Sequence, residues 1–259
     1  MAQALLLPLI DAGVVDRAGV QAVVASTVSA ERLSAEHRIP VTTSPEQVWQ
    51  APVVLLAVKP QQLQAAATGA GDAALQGPGG PEPGLLISVL AGVTLQRLQG
   101  CFPGWRCVRA VPNTPALVRA GLTGLAFGEG VSDVQRTWVR ELFSLVGEVH
   151  ELPEPQLDGF LALTSSGPAF VALVAEAMAD GAVASGLPRQ LAHQLAHRTL
   201  AGTAALLQGQ ALHPAALKDM VSSPGGTTIA GIRELERAGL RSALIEAVVA
   251  AAERSRQLA

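Results

Sequence analysis

Apolar positions divide the chain into two regions of different periodicity. In the first, short apolar runs alternate with helical patterns. Val20–Ser26 (VQAVVAS) predicts a strand, followed by a helix from Ser29 through Glu36. Pro52–Val58 (PVVLLAV) predicts a buried strand stopped by Pro60, where another helix begins. Leu85–Val89 (LLISV) and Trp105–Ala110 (WRCVRA) are two further β-rich runs. Runs that are apolar throughout mark strands covered on both faces, as in a parallel sheet. Strands spaced by helices imply a doubly wound α/β architecture. The segment Gly69–Gly84, rich in Gly, Pro and Ala, is expected to be an enlarged surface loop.

After Leu152 the pattern becomes helical, with Ala and Leu at three- and four-residue spacings. Examples are Phe170, Val174, Ala177 and Met178, then Leu191, Leu195, Leu200 and Leu206. The expected domains are therefore residues 1–152 and 153–259. Many of the later helices are apolar around most of their circumference. Such helices need partners on several sides, so a second copy of the chain is expected to share the burial.

Composition narrows the function. Hydrophobic residues make up 49% of the 259, enough for a sizeable core. A net charge of −3 gives no basic surface for nucleic acid, and 3% aromatics without tyrosine leave few base-stacking platforms. The opening apolar run Ala4–Ile10 lacks a basic start and ends at Asp11. No stretch reaches about 18 uninterrupted apolar residues, so no membrane association is expected. Cys101 and Cys107 have no companion cysteines for a zinc site or a disulfide framework; they read as reduced thiols of a cytoplasmic protein. His193 and His197 lie one helical turn apart without a third ligand, so no metal is expected.

The stretch richest in candidate chemistry is Val221-Ser222-Ser223-Pro224-Gly225-Gly226-Thr227-Thr228, between two helical patterns. A helix N-terminus offers unpaired N–H groups and a positive dipole end to a carboxylate or phosphate. Local physics leaves two readings open. One is this anion site; the other is an ordinary capped turn, with Ser223 before Pro224 at the first helical position.

Three strand ends carry loops suited to a ligand. Ala57-Val58-Lys59-Pro60 closes the second strand, Leu90-Ala91-Gly92-Val93 the next, and Pro112-Asn113-Thr114-Pro115 the one after. In a doubly wound fold ligands bind beyond the carboxyl ends of the strands, so Lys59 suits a phosphate or ribose. Ala91 and Gly92 permit close backbone approach to a planar ring. At the end of the first strand, Ser26 and Thr27, with Arg32 nearby, replace the carboxylate that would hold a ribose 2′-OH; a 2′-phosphate is favoured, although Ser-Thr before a helix is also a simple N-cap. Leu163–Phe170 (LTSSGPAF) interrupts a helix at Pro168, and its hydroxyls are expected mainly to satisfy backbone.

In this order the motifs AVKP, LAGV, VPNTPALV, SGPAF and LKDMVSSPGGTTIAGIREL resemble pyrroline-5-carboxylate reductases, which perform the last step of proline biosynthesis. Asp180-Gly181 and Gly186-Leu187-Pro188-Arg189 match as well. The resemblance implies a Rossmann-like NAD(P)-binding domain and a helical domain that dimerises, in some members as a ring of five dimers. It implies NADPH as hydride donor, with NADH as the alternative, and 1-pyrroline-5-carboxylate as substrate. Ser223, Gly225, Gly226, Thr227 and Thr228 would hold that substrate, with Thr228 as the catalytic candidate bonded to the ring nitrogen. The cofactor candidates are Ser26, Thr27, Arg32, Ser44, Ala57, Val58, Lys59, Pro60, Leu90, Ala91, Asn113 and Thr114.

The match departs at its start. Family members open with a strand and a Gly-x-Gly-x-Met-Ala loop; here Met1-Ala2 aligns with the end of that loop, leaving about ten residues unmatched. Thr164-Ser165 replaces a more usual Ser-Gly, Phe170 a common tyrosine, and Ser44 a frequent asparagine. The strand would be central, and without it two neighbouring edges are unpaired. The expectation is a reductase whose true start lies upstream. The alternatives are a shortened, non-catalytic homologue, or a related imine or 3-hydroxy acid oxidoreductase; the last lacks support because no lysine lies between Gln156 and Gly186.

Overall fold

The computed structural model describes residues 2–79 and 82–258, so the alignment expected at Met1 and the Gly80–Pro81 part of the Gly69–Gly84 segment lie outside the described residues. Two compact units form: Met1–Ser165 with Ala251–Ala259, and Ser166–Ala250. This differs from a division at 152/153, because Leu157 enters an apolar cluster with Val111 and Ala126.

The first unit is built on strands β3 (Val53–Leu56), β4 (Gly84–Ser88), β5 (Trp105–Pro112), β6 (Gly121–Phe127) and β7 (Gly147–Glu151), hydrogen-bonded in that order. Leu56 pairs with Ser88, and Ser88 with Arg109. The sheet is parallel except between β5 and β6, where Ala110 faces Leu125 in antiparallel register. This antiparallel pairing has a simple reason. Residues 113–120 are too few for a parallel crossover, which needs about a dozen or more. Helices α5 (Leu95–Cys101) and α6 (Asp133–Ser144) supply the longer connections elsewhere.

Alternation along the strands separates two cores. Leu85, Ile87, Val108 and Ala110 pack with Leu5 and Leu9 of α1 (Ala2–Asp11) and with Val139 and Phe143 of α6. Leu86 and Cys107 pack with Trp49, Leu63, Leu98, Phe102 and Trp105. Trp49 stacks on Phe102 at 5.2 Å between ring centroids and meets Trp105 edge-on at 5.8 Å. Each fully buried Leu or Phe contributes about 1.5–3 kcal/mol.

The strand expected over Val20–Ser26 contracts to β1 (Ala22–Val23), paired only with β2 (Val41–Thr42) in a separate two-stranded parallel sheet. So short a pair is marginal by itself. It is held by Ile10, Val20 and Ile39, with α1 contributing Ile10 here while giving Leu5 and Leu9 to the larger sheet. Helix α2 (Thr27–His37) follows, N-capped by Ser26.

The loop expected over Gly69–Gly84 is also corrected. Its first half is helical: α3 (Leu63–Ala70) is broken at Gly71, and α4 (Asp72–Gln76) follows. Ala70 and Ala74 are buried against the tryptophan cluster, which turns helix-favouring alanines into core residues.

Helix α7 (Leu157–Thr164) ends the first part of the chain. The second unit holds α8 (Gly167–Ala184), α9 (Arg189–Gly209), α10 (Pro214–Met220) and α11 (Thr227–Arg237), and α12 (Leu240–Gln257) begins in it. Its α8–α9 contact is made by Ala179, Ala192 and Ala196. Large apolar side chains, including Val171, Leu173, Leu195, Ile229 and Ile245, stay exposed. Among the described residues, one helical stretch, Glu154–Ala184, is long and apolar enough to cross a membrane by length and composition. It carries Asp158, Glu176 and Asp180 along its length.

Candidate functional site

In the first unit, parallel strands β3, β4 and β5 bring three loops to their common carboxyl edge. Ala57, Val58, Lys59 and Pro60 follow β3; Lys59 and Val58 are exposed. The Lys59 N–H donates to Gln62 Oε1 at 3.2 Å, which fixes the turn. Beyond β4, Leu90 is buried and its N–H donates to Ser88 Oγ at 3.3 Å, whereas Ala91 is exposed. Gly92 sits at φ +73°, and a Cβ there would lie 2.8 Å from the Cβ of Leu258.

Beyond β5 the two polar candidates separate. Thr114 is exposed, but Asn113 is buried. The Asn113 side chain donates through Nδ2 to the Thr164 carbonyl at 3.0 Å and accepts the Leu122 N–H through Oδ1 at 2.8 Å. It therefore ties the loop to its neighbours, and only its backbone can face a ligand.

Ser26, Thr27, Arg32 and Ser44 belong to the smaller sheet, where Ser26 follows β1 and Ser44 follows β2 at the carboxyl end of that parallel pair. Ser26 Oγ accepts the Ser29 N–H at 3.3 Å, so the N-cap reading is realised. Arg32, one turn on, is exposed and pairs with Glu36 at 3.3 Å. The Ser44 hydroxyl donates to Glu46 and holds that carboxyl below the usual range. Exposed hydroxyls at Ser26, Thr27 and Thr114, cations at Arg32 and Lys59, and a small residue at Ala91 make a donor set chemically suited to a phosphate-bearing dinucleotide.

In the second unit, Ser223–Gly226 forms a tight turn. The Gly226 N–H donates to the Ser223 carbonyl at 3.0 Å, with Pro224 at the second position and Gly225 at φ +68°. This is the residue pattern of a type II turn. Helix α11 starts only at Thr227, with Gly226 as N-cap and no side-chain cap. Pro224 is thus not the first helical residue, which sets aside the ordinary Ser223 cap. The first N–H groups of α11 have no acceptor within the helix, and Thr227 and Thr228 are its first two residues, while Ser222 Oγ donates back to the Lys218 carbonyl at 2.7 Å. An anion is the natural partner of such an end.

Around Pro168 the helix divides into α7 and α8. Thr164 Oγ1 donates to the Phe160 carbonyl at 2.7 Å and Ser165 Oγ to the Pro112 carbonyl at 3.4 Å, so both hydroxyls serve backbone. His193 and His197 lie 6.4 Å apart between ring centroids. Among the described residues no group of three or more His, Cys, Asp and Glu is arranged for a metal. Both cysteines are free; burial, and then the nearby Cys101, pushes the Cys107 thiol up to about 12.

Sequence reasoning missed an ionic cluster behind the Leu90–Thr94 loop. Arg109, 2% exposed on β5, pairs with Glu154 and Asp158, each at 3.3 Å. The signal was an arginine inside an apolar strand, with carboxylates four residues apart downstream.

Comparison with known proteins places these features in a family setting. Residues 154–258 match the family described as pyrroline-5-carboxylate reductase dimerisation. A pyrroline-5-carboxylate reductase of Synechocystis sp. is 50% identical over 206 residues, covering 80% of this chain and 74% of that protein. Two solved structures are similar throughout. The enzyme of that name from Coxiella burnetii has 32% identity and a TM-score of 0.86, covering 100% of this chain and 94% of its own. Plasmodium falciparum pyrroline carboxylate reductase, solved with NADP bound, has 25% identity and a TM-score of 0.87, covering 99% and 93%.

Proposed function

Because the chain belongs to the pyrroline-5-carboxylate reductase family of oxidoreductases, we propose that it reduces 1-pyrroline-5-carboxylate to L-proline with NADPH. The observation that carries this reading is the N-terminus of α11, which follows the Ser223–Gly226 turn with no side-chain cap. Its N–H groups and the hydroxyls of Ser223 and Thr227 receive the substrate carboxylate, with Gly225 and Gly226 giving the turn its shape. The Thr228 hydroxyl accepts the N–H of the ring iminium and orients its C=N bond. The iminium is already the better electrophile, so this chain need supply no proton, and positioning supplies most of the acceleration.

NADPH, when bound, supplies the hydride to the C=N carbon. Lys59, Thr114 and the exposed Ala91 lie at strand ends suited to its phosphates and nicotinamide. Ser26, Thr27 and Arg32 suit a 2′-phosphate, and Ser44 lies near them. The NADP bound to the Plasmodium relative supports the phosphorylated cofactor over NADH. The two free thiols suit a reducing cytoplasmic compartment.

A second reading has one observation in its favour. Among the described residues the β1–β2 pair shares no ladder with β3–β7, so no continuous sheet joins the two groups of cofactor candidates. In that reading the chain keeps its carboxylate site without turnover. NADPH titration separates the two: micromolar affinity supports the reductase, and no saturable binding supports the second reading. A Thr228→Ala variant tests the site itself, with kcat/KM for the imine expected to fall about 10–100-fold and NADPH affinity unchanged. Undiminished kcat/KM would remove Thr228 from its role.

A further inference from the structure

Arg109 connects segments far apart in sequence. Its Nη1 donates to Glu154 Oε1 and its Nη2 to Asp158 Oδ1, both at 3.3 Å. Each carboxylate oxygen has a second donor. Glu154 Oε1 accepts the Leu95 N–H at 2.6 Å, and Asp158 Oδ1 accepts the Ser255 hydroxyl at 2.7 Å. Ser255 is 4% exposed, in the last turns of α12. Its carbonyl accepts the Leu258 N–H at 3.1 Å, and Leu258 packs on Gly92.

These contacts converge on one loop, residues 90–95. Ser88 anchors its first N–H, Glu154 its last, and Leu258 covers Gly92 in the middle. Removing either carboxylate would leave a buried guanidinium short of partners, so the cluster holds together only as a whole. What the loop leaves exposed is Ala91.

We propose that Arg109, Glu154, Asp158 and Ser255, with Leu258, are positioning residues that fix the Leu90–Leu95 loop against which the nicotinamide is seated. The end of the chain is on this account part of the catalytic scaffold. The inference rests on the reading of that loop as the cofactor side of a reductase site. The cluster touches neither substrate nor cofactor; it acts through the loop backbone, where displacements of about 1 Å cost up to about a hundredfold in rate.

The test uses the full chain with Ser255→Ala and Leu258→Ala, and Ser255→Thr as the conservative variant. Hydrogen–deuterium exchange of the cofactor-free protein reads the loop directly. Exchange across residues 91–95 is expected to speed up about tenfold in both alanine variants and to return toward normal in Ser255→Thr. Steady-state kinetics with deuterated NADPH should show kcat reduced about tenfold, a larger primary isotope effect, and an unchanged KM for the imine. Unchanged exchange, or faster exchange with kcat and the isotope effect intact, overturns the proposal. Absence of imine reduction by the unaltered chain would defeat the assigned function instead, and the exchange measurement would still decide whether the cluster holds the loop.

Discussion

Asn113 Oδ1 accepts the backbone N–H of Leu122 at 2.8 Å, so the side chain after β5 is bonded to the start of β6. With Nδ2 donating to Thr164, the amide is satisfied on both sides in a buried position. Asn113→Ala should destabilise the chain by about 1–3 kcal/mol, the cost of leaving buried backbone groups unpaired. Asn113→Asp should cost more, because it sets a carboxylate oxygen against the Thr164 carbonyl. Urea denaturation checks both, and equal stability for all three proteins would contradict the assignment.

The turn before α11 makes a separate prediction. Gly225→Ala places a Cβ at φ +68°, costing roughly 1–2 kcal/mol. Gly226→Ala brings a Cβ within 2.5 Å of Ser223 Oγ and must displace that hydroxyl. Both should raise KM for the imine with little change in KM for NADPH. An effect on the NADPH side alone would contradict the division of labour.

Cys107 gives a pH-dependent prediction. Its thiol is raised from 9.0 to about 12, so folding favours the neutral form. The unfolded chain ionises first as pH rises, so this contribution to stability is complete below about pH 9 and is lost progressively toward pH 12. Denaturation midpoints of the unaltered chain and Cys107→Ala should therefore differ in slope across that range, the variant falling less steeply. Parallel curves would contradict the burial effect.

Exposed Leu173 at 67% and Leu195 at 45% leave apolar surface on α8 and α9 of a unit whose internal contact is made by alanines. We expect a homodimer by light scattering, with Leu195→Asp shifting it toward monomer; the same measurement reads any higher ring of five dimers. A monomeric unaltered chain would contradict the shared-burial reading.

Much of this was legible in residue order because continuous apolar runs ending in Pro, Gly or a cation give strands and their loops together. PVVLLAV before Lys59 and LLISV before Ala91 are such cases. β6 was hidden because GLTGLAF carries two glycines that weaken strand propensity, and its antiparallel sense follows from the short 113–120 connection. The Gly69–Gly84 helices were masked by flanking glycines and prolines, although their alanines favour helix. Arg109 finds its partners 45 and 49 residues away, a distance over which periodicity carries no information. For Asn113, a polar residue in a loop reads as outward, and only tertiary packing turns it inward.

The reaction proposed for this chain is hydride delivery to a C=N carbon. The most direct measurement incubates it with 1-pyrroline-5-carboxylate and NADPH deuterated at the transferable position, then analyses the product. L-proline is expected to form in step with NADPH consumed, with deuterium on the ring carbon of the former C=N bond. No proline from a chain that binds NADPH, or proline without deuterium at that carbon, would contradict it.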